Sequence, residues 1–284
     1  MTKSNLSKVL NIAGSVIALL SVLFVVHRIT AYWTQVPADT FTLKLLLLIL
    51  ILAGIYGAAN LILASAWRLL MLGLEQAISS RMANRIYGLT QLAKYVPGNI
   101  FQFAGRQFLA MSHGFSGKAI AKSTFLELLL LVLTGAAFVL WMLPLLYPAF
   151  NIIYGFSLFI IIATLIALGL KWQQNSDLMH VIARYFLFLL ISGAVFLSIL
   201  YSIVGNWTGT PALVLPLIGA YVVAWLAGLI TPGSPAGVGV REFLLILLLK
   251  PFFTEIDIVL AVILSRITTV VGDCFFYLYS LSLR

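Results

Sequence analysis

Two stretches of this chain carry the residue types that could do chemistry, and they are copies of one another. PGNIFQFAGRQFL, starting at Pro97, and PGSPAGVGVREFL, starting at Pro232, match at identical offsets: Pro97 with Pro232, Gly98 with Gly233, Arg106 with Arg241, Phe108 with Phe243 and Leu109 with Leu244. Proline removes a backbone donor and glycine widens the allowed dihedrals, so each copy should break one helix and start another that delivers an arginine about two turns later. A guanidinium stays charged and presents a planar fork of donors that matches a phosphate, and the backbone donors freed at a helix start can face the same anion. Arg106 and Arg241, with Lys94 just ahead of the first break, are therefore the candidate anion-binding residues. Pro97, Gly98, Pro232, Gly233, Gly237 and Gly239 are the candidate hinges.

Four more charged residues lie within or beside apolar runs: Glu127, Glu242, Arg266 and Asp273. An ion buried in such a setting is costly, which leaves two readings open, a functional site or a static lattice of ion pairs tying helices together. Arg266 and Asp273 are seven residues apart and share a helix face, while Glu127 and Glu242 are placed to compensate Arg106 or Arg241 across helices. A base or nucleophile would have to be His113, Glu127 or Glu242, and His113 in Ser112-His113-Gly114 reads as an interfacial turn residue, so no catalytic residue is assigned. His27, His113 and His180 are scattered and Cys274 is the single cysteine, so no metal site and no disulfide framework are expected. Gly237-Val238-Gly239 lacks the third glycine of a dinucleotide fingerprint, and no cofactor is expected.

The elements that position these residues are membrane helices. Of 284 residues, 62% are hydrophobic and 9% charged, with a mean hydropathy of +1.11, which excludes an ordinary soluble domain. Apolar runs at about Val9–Val26, Leu43–Ala66, Phe125–Leu143, Ile152–Leu170, Val181–Val204, Ala212–Ile230, Val238–Phe253 and Ile258–Leu281 predict an all-α integral membrane protein. We expect a polytopic bundle of about seven or eight transmembrane helices, with two proline-glycine-broken or re-entrant elements related by the internal repeat. The count depends on the short run Val238–Phe253, which either spans, as the preferred eight-span arrangement has it, or re-enters. The first run is followed by His27, Arg28, Tyr32 and Trp33 with no small-residue cleavage site, so it reads as a retained helix within a single transmembrane domain over 1–284, with no soluble domain.

The net charge of +9 fits loops facing anionic headgroups and not a nucleic-acid partner. Arg68, Arg81, Arg85, Lys94, Arg106, Lys118 and Lys122 fall between the second and third runs against Glu75 alone, whereas Pro144–Asn151 and Gly205–Pro211 are uncharged. The basic segment and the N-terminus are therefore expected on the cytoplasmic side of a prokaryotic inner membrane. Within that segment Arg81–Gly117 is too polar to span yet rich in aromatic residues, and reads either as an interfacial amphipathic helix pair or as a re-entrant hairpin.

Lys94, Tyr95, Pro97 and Gly98, followed by Pro232, Gly233, Gly237, Gly239, Arg241 and Glu242, resemble the paired elements of the lysylphosphatidylglycerol synthase transmembrane family, a flippase-like domain family. The similarity extends over nearly the whole chain, and Ser234-Pro235-Ala236 departs from the usual glycine-rich turn. The resemblance implies movement or presentation of a membrane lipid: an anionic or aminoacylated phospholipid, or a polyprenyl-phosphate-linked lipid. It also implies a lipid-modifying synthase or a glycosyltransferase as partner. The alternatives from other classes are a membrane lipid transferase and a scaffold for a lipid-linked glycosyltransferase, with Arg68–Lys122 as its docking surface. Oligomeric state is not encoded in any recognisable pattern.

Overall fold

A computed structural model describes residues 42–96, 101–147, 149–161, 176–205, 211–231 and 239–283. Among them every regular element is helical: α1 (Leu43–Gly73), α2 (Ser80–Gln91), α3 (Phe101–Ser112), α4 (Gly117–Ala136), α5 (Val139–Leu146), α6 (Ile152–Ile161), α7 (Ser176–Val204), α8 (Val214–Ile230), α9 (Val240–Leu249) and α10 (Glu255–Ser282). A 3-10 turn, Leu92–Tyr95, continues α2, and another, Pro211–Leu213, leads into α8. Five stretches are long and apolar enough to cross a membrane: Leu43–Gly73, Gly117–Leu146, Asp177–Val204, Pro211–Ile230 and Glu255–Ser282. The described residues are thus those of a multi-pass membrane protein whose regular structure is all helical. The run Val9–Val26 and most of the second half of Ile152–Leu170 lie outside the described residues.

Local sequence sets the helix starts. Thr42, Ser79, Ser116 and Thr254 each accept a hydrogen bond from a backbone N–H in the first turn that follows, so donors without an intrahelical partner are satisfied at the starts of α1, α2, α4 and α10. Helix α1 is apolar all round, burying Tyr56, Asn60, Ala64, Trp67 and Met71 and exposing Leu47, Leu50, Ile51 and Ile55, as a helix with a protein side and a lipid side should.

Helices α1 and α10 form the most extensive interface of the bundle, and glycine makes it possible. A Cβ on Gly57 would lie 2.8 Å from the Gly272 carbonyl oxygen, and one on Gly272 would lie 2.6 Å from that of Ala53. With glycine at both places the backbones approach closely, and the next polar residues, Asn60 and Asp273, come within hydrogen-bonding distance.

Basic residues gather at one end of the bundle. The Ser116 N–H donates to Gln76 Oε1 (3.0 Å), Arg184 Nε to Ser65 Oγ (2.9 Å) and Ser280 Oγ to the Asn84 carbonyl (3.2 Å), which ties the C-terminal ends of α1 and α10 to the N-terminal ends of α2, α4 and α7. Arg81, Lys118 and Lys122 are exposed there.

The short helices depart from a simple bundle of full spans. Helix α9 covers ten residues, about 15 Å of rise and half of a hydrocarbon layer. The run Val238–Phe253 therefore holds a helix too short to cross alone, because the chain turns at Lys250–Thr254 before α10 begins. Helices α2 and α3 have twelve residues each and are packed into the bundle. Helix α2 buries Ala83, Ile86, Tyr87 and Gly88, and lies so close to α10 that a Cβ on Gly88 would meet Ser280 Oγ at 1.7 Å.

Candidate functional site

The short helices and the long ones enclose a cavity of about 90 Å³, room for several waters or a group of phosphate size. Four cations line it, Lys94, Arg106, Arg241 and Arg266, together with one carboxylate, Glu127. The repeated arginines, 135 positions apart in the chain, thus face one space. Much of the remaining wall is apolar, with Leu63, Leu131, Phe188, Trp225 and Val270 among its residues.

Arg106 is 1% exposed, and its surroundings come from α1, α2 and α4. Its Nη1 donates to Glu127 Oε2, while Tyr87 Oη donates to Glu127 Oε1 at 2.8 Å. The guanidinium carbon sits 3.9 Å from the Tyr87 ring centre and 5.3 Å from that of Trp67, a geometry in which ring faces offset part of the charge. Trp67 is itself fixed by donating Nε1–H to Ser123 Oγ at 3.0 Å. Among the described residues Arg106 Nε has no hydrogen-bond partner.

Lys94 lies in the 3-10 turn before the first proline-glycine pair, and its Nζ is 2.7 Å from Asp273 Oδ2. Asp273 is fully buried and accepts from Asn60 Nδ2 (3.0 Å), Gln91 Nε2 (3.3 Å) and Tyr95 Oη as well. Four donors from three elements on one carboxylate satisfy a buried anion that would otherwise be prohibitive. The same contacts anchor the 3-10 turn Leu92–Tyr95.

Arg241 is buried in the first turn of α9, with its guanidinium 5.8 Å from the Tyr221 ring centre. Glu242, expected to compensate Arg241 or Arg106, pairs with Arg266 at 2.6 Å. Adjacent residues on a helix point about 100° apart, so Glu242 faces α10 while Arg241 faces the cavity. Its other oxygen accepts the Gly239 N–H at 2.7 Å and closes the start of α9. Gly239 has φ of +88°, a conformation that favours glycine. Arg266 and Asp273 do share the buried face of α10, but they belong to separate ion pairs about 10 Å apart along the axis.

Asp273 and Glu242 are thus not on the cavity wall; they hold the cations that are. Pro97, Gly98, Pro232, Gly233 and Gly237 lie outside the described residues. His113 sits in the exposed turn after α3, with Nδ1 2.8 Å from the Leu109 carbonyl and away from the cavity lining. Among the described residues no group of three or more His, Cys, Asp or Glu side chains is arranged to hold a metal ion.

Sequence reasoning did not assign Asn60, Gln91, Trp67 or Tyr87 to the site. Asn60 carried a usable signal as the single amide in the apolar run Leu43–Ala66. The aromatic residues carried none, since the chain has 19 phenylalanines, 11 tyrosines and 6 tryptophans and their types alone do not say which meet a cation.

Compared with family models, with curated proteins and with solved structures, the chain has no match in any of the three.

Proposed function

We propose that this chain moves lipids with phosphate-bearing headgroups between the leaflets of a membrane, as a flippase or scramblase. The observation that carries this reading is the meeting of Arg106, Arg241, Lys94 and Arg266 on one cavity inside a bundle of apolar, membrane-length helices. A charged headgroup crossing a hydrocarbon layer is opposed by several kcal/mol, and a cation-lined cavity replaces the lost hydration while the tails stay in the lipid. Bidentate donors from arginine and a point charge from lysine suit a phosphate. The substrate class is an anionic or aminoacylated phospholipid or a polyprenyl-phosphate-linked lipid.

The reading includes seven or eight spans, counting the runs at 9–26 and 152–170, and two re-entrant breaks at Pro97-Gly98 and Pro232-Gly233. It includes membership of the lysylphosphatidylglycerol synthase transmembrane family, supported by Lys94, Tyr95, Arg241 and Glu242 in their motif positions. Its setting is the cytoplasmic membrane of a prokaryote, with the basic end of the bundle and the N-terminus in the cytoplasm, supported by the clustering of Arg81, Lys118 and Lys122 at one end. In a Cys274→Ala background, an impermeant thiol reagent on intact cells should label Asn151→Cys and spare Ala77→Cys, and the reverse pattern would overturn this orientation.

The function is tested by reconstitution in liposomes with fluorescent phospholipid and prenyl-phosphate analogues, following the signal accessible to dithionite. Wild-type protein should equilibrate at least one of them. Arg241→Ala should slow it about tenfold or more, and Arg241→Lys should recover part of the rate because the charge returns without the planar fork. Wild-type protein inactive on every lipid would defeat the reading in favour of a scaffold for a lipid-linked glycosyltransferase.

A further inference from the structure

Resting on the reading above, we infer that the cavity takes a lipid whose headgroup is a phosphate ester without an ammonium group, and discriminates against aminoacylated and other amine-bearing lipids. Carboxylates and aromatic faces are the strongest receptors for an ammonium in a low-dielectric site, and those beside the four cations are already engaged by them.

Every oxygen of the three carboxylates already meets a cation or donor of the protein. Glu127 receives Tyr87 Oη on one oxygen and Arg106 on the other. Asp273 receives Asn60 and Gln91 on Oδ1, and Tyr95 and Lys94 on Oδ2. Glu242 forms an ion pair with Arg266 through Oε1 and accepts the Gly239 N–H on Oε2. Of the three, Glu127 alone lines the cavity.

The aromatic faces are used as well. Arg106 lies over Tyr87 and Trp67, Lys94 lies 5.9 Å from the Tyr56 ring centre and 5.3 Å from that of Tyr95, and Arg241 faces Tyr221. Phe103 lies 5.8 Å from the Arg106 guanidinium, and the other two large rings on the wall, Phe188 and Trp225, pack edge to face on each other at 6.2 Å. Among the described residues a headgroup ammonium would therefore meet four cations and one carboxylate already paired with Arg106, whereas a phosphate meets the same four cations as opposite charges. Exclusion through an unpaired like charge is a standard source of specificity.

The purified full chain in detergent, mixed with equimolar phosphatidylglycerol and lysyl-phosphatidylglycerol, tests this by native mass spectrometry. Phosphatidylglycerol occupancy should exceed that of the lysyl lipid by at least about tenfold. Equal or greater occupancy by the lysyl lipid overturns the inference, and the dithionite assay run beside it reports separately whether lipid movement itself stands. Inorganic phosphate and glycerol 3-phosphate probe the other source of the same chemistry. Thermal stabilisation by either of them, with none by phosphatidylglycerol, overturns a lipid ligand. Tyr87→Phe removes the hydroxyl from Glu127 Oε1 and should open one receptor, narrowing the preference about threefold or more. An unchanged preference in a normally folded Tyr87→Phe protein overturns the part assigned to Glu127.

Discussion

Arg106 and Arg241 occupy matching positions in two copies of one sequence, yet the bundle treats them differently. Arg106 is enclosed by a carboxylate and two aromatic rings from α1, α2 and α4, with Glu127 bonded to it and Tyr87 bonded to Glu127. Arg241 reaches the same cavity from the other half, but the acid beside it in sequence is engaged by Arg266. The first copy therefore delivers its arginine already neutralised by a neighbour across the bundle, and the second delivers one whose adjacent acid serves α10. A repeat conserves the position of a charge along the chain, while compensation is decided by helices outside the repeat. The difference makes Glu127 the acid on which the burial of Arg106 depends, while Glu242 is shared with the start of α9 and with Arg266.

The comparison breaks most visibly at Glu127. Glu127→Ala leaves Arg106 buried without its carboxylate, and the expected loss is about 3–5 kcal/mol of stability. Thermal or denaturant unfolding in detergent should register it as a large fall in midpoint. Arg241→Ala, by contrast, leaves in place the contacts of Glu127 with Arg106 and Tyr87, of Asp273 with Lys94 and of Glu242 with Arg266. Its midpoint should fall less than that of Glu127→Ala, with lipid retention falling more than stability. Replacing both members, Arg106→Met with Glu127→Leu, should restore most of the midpoint, because a buried pair exchanged for apolar groups is often neutral. A double variant as unstable as Glu127→Ala would mean that the pair does more than cancel its own burial.

Much of this division was legible in the sequence, and its limits are physical. The repeat, the charges inside apolar runs and the basic segment are one-dimensional features, and they brought Lys94, Arg106, Glu127, Arg241 and Arg266 forward as candidates. Which acid meets which base is a property of helix rotation and depth. Glu242 is adjacent to Arg241 and still faces away, because neighbours on a helix differ by about 100°. Likewise the polar cluster on Asp273 depends on the close approach at Gly57 and Gly272, and two glycines 215 positions apart do not announce that they touch. The short run Val238–Phe253 left spanning and re-entry both open, because Phe252 and Phe253 carry its apolar character past Leu249, where the helix ends.

A middle-sized effect sharpens the role of the polar cluster. Asp273→Asn keeps the size and some of the hydrogen bonding but removes the charge that Lys94 and Tyr95 meet, and should cost about 1–3 kcal/mol. Since Lys94 is then released toward the cavity, lipid retention should hold or rise even as the unfolding midpoint drops. Parallel losses of both would make Asp273 a simple structural anchor.

The smallest expected effect separates the two arginines at their aromatic partners. Tyr87 both faces Arg106 at 3.9 Å and hydrogen-bonds its carboxylate, whereas Tyr221 faces Arg241 at 5.8 Å and lies stacked on Phe196 at 4.8 Å. Tyr221→Phe keeps the ring and its quadrupole, so Arg241 should remain in place and both stability and lipid retention should stay near wild type. Tyr221→Leu removes the face and should weaken the hold on Arg241 by about 0.5–1 kcal/mol, read as a twofold to fivefold loss of lipid retention. The same replacement at Tyr87 should act chiefly on stability, because Glu127 loses a donor as Arg106 loses its ring. Equal effects of Tyr221→Leu and Tyr87→Leu on the unfolding midpoint would erase the contrast, and would mean that the two copies carry their arginines in energetically equivalent settings.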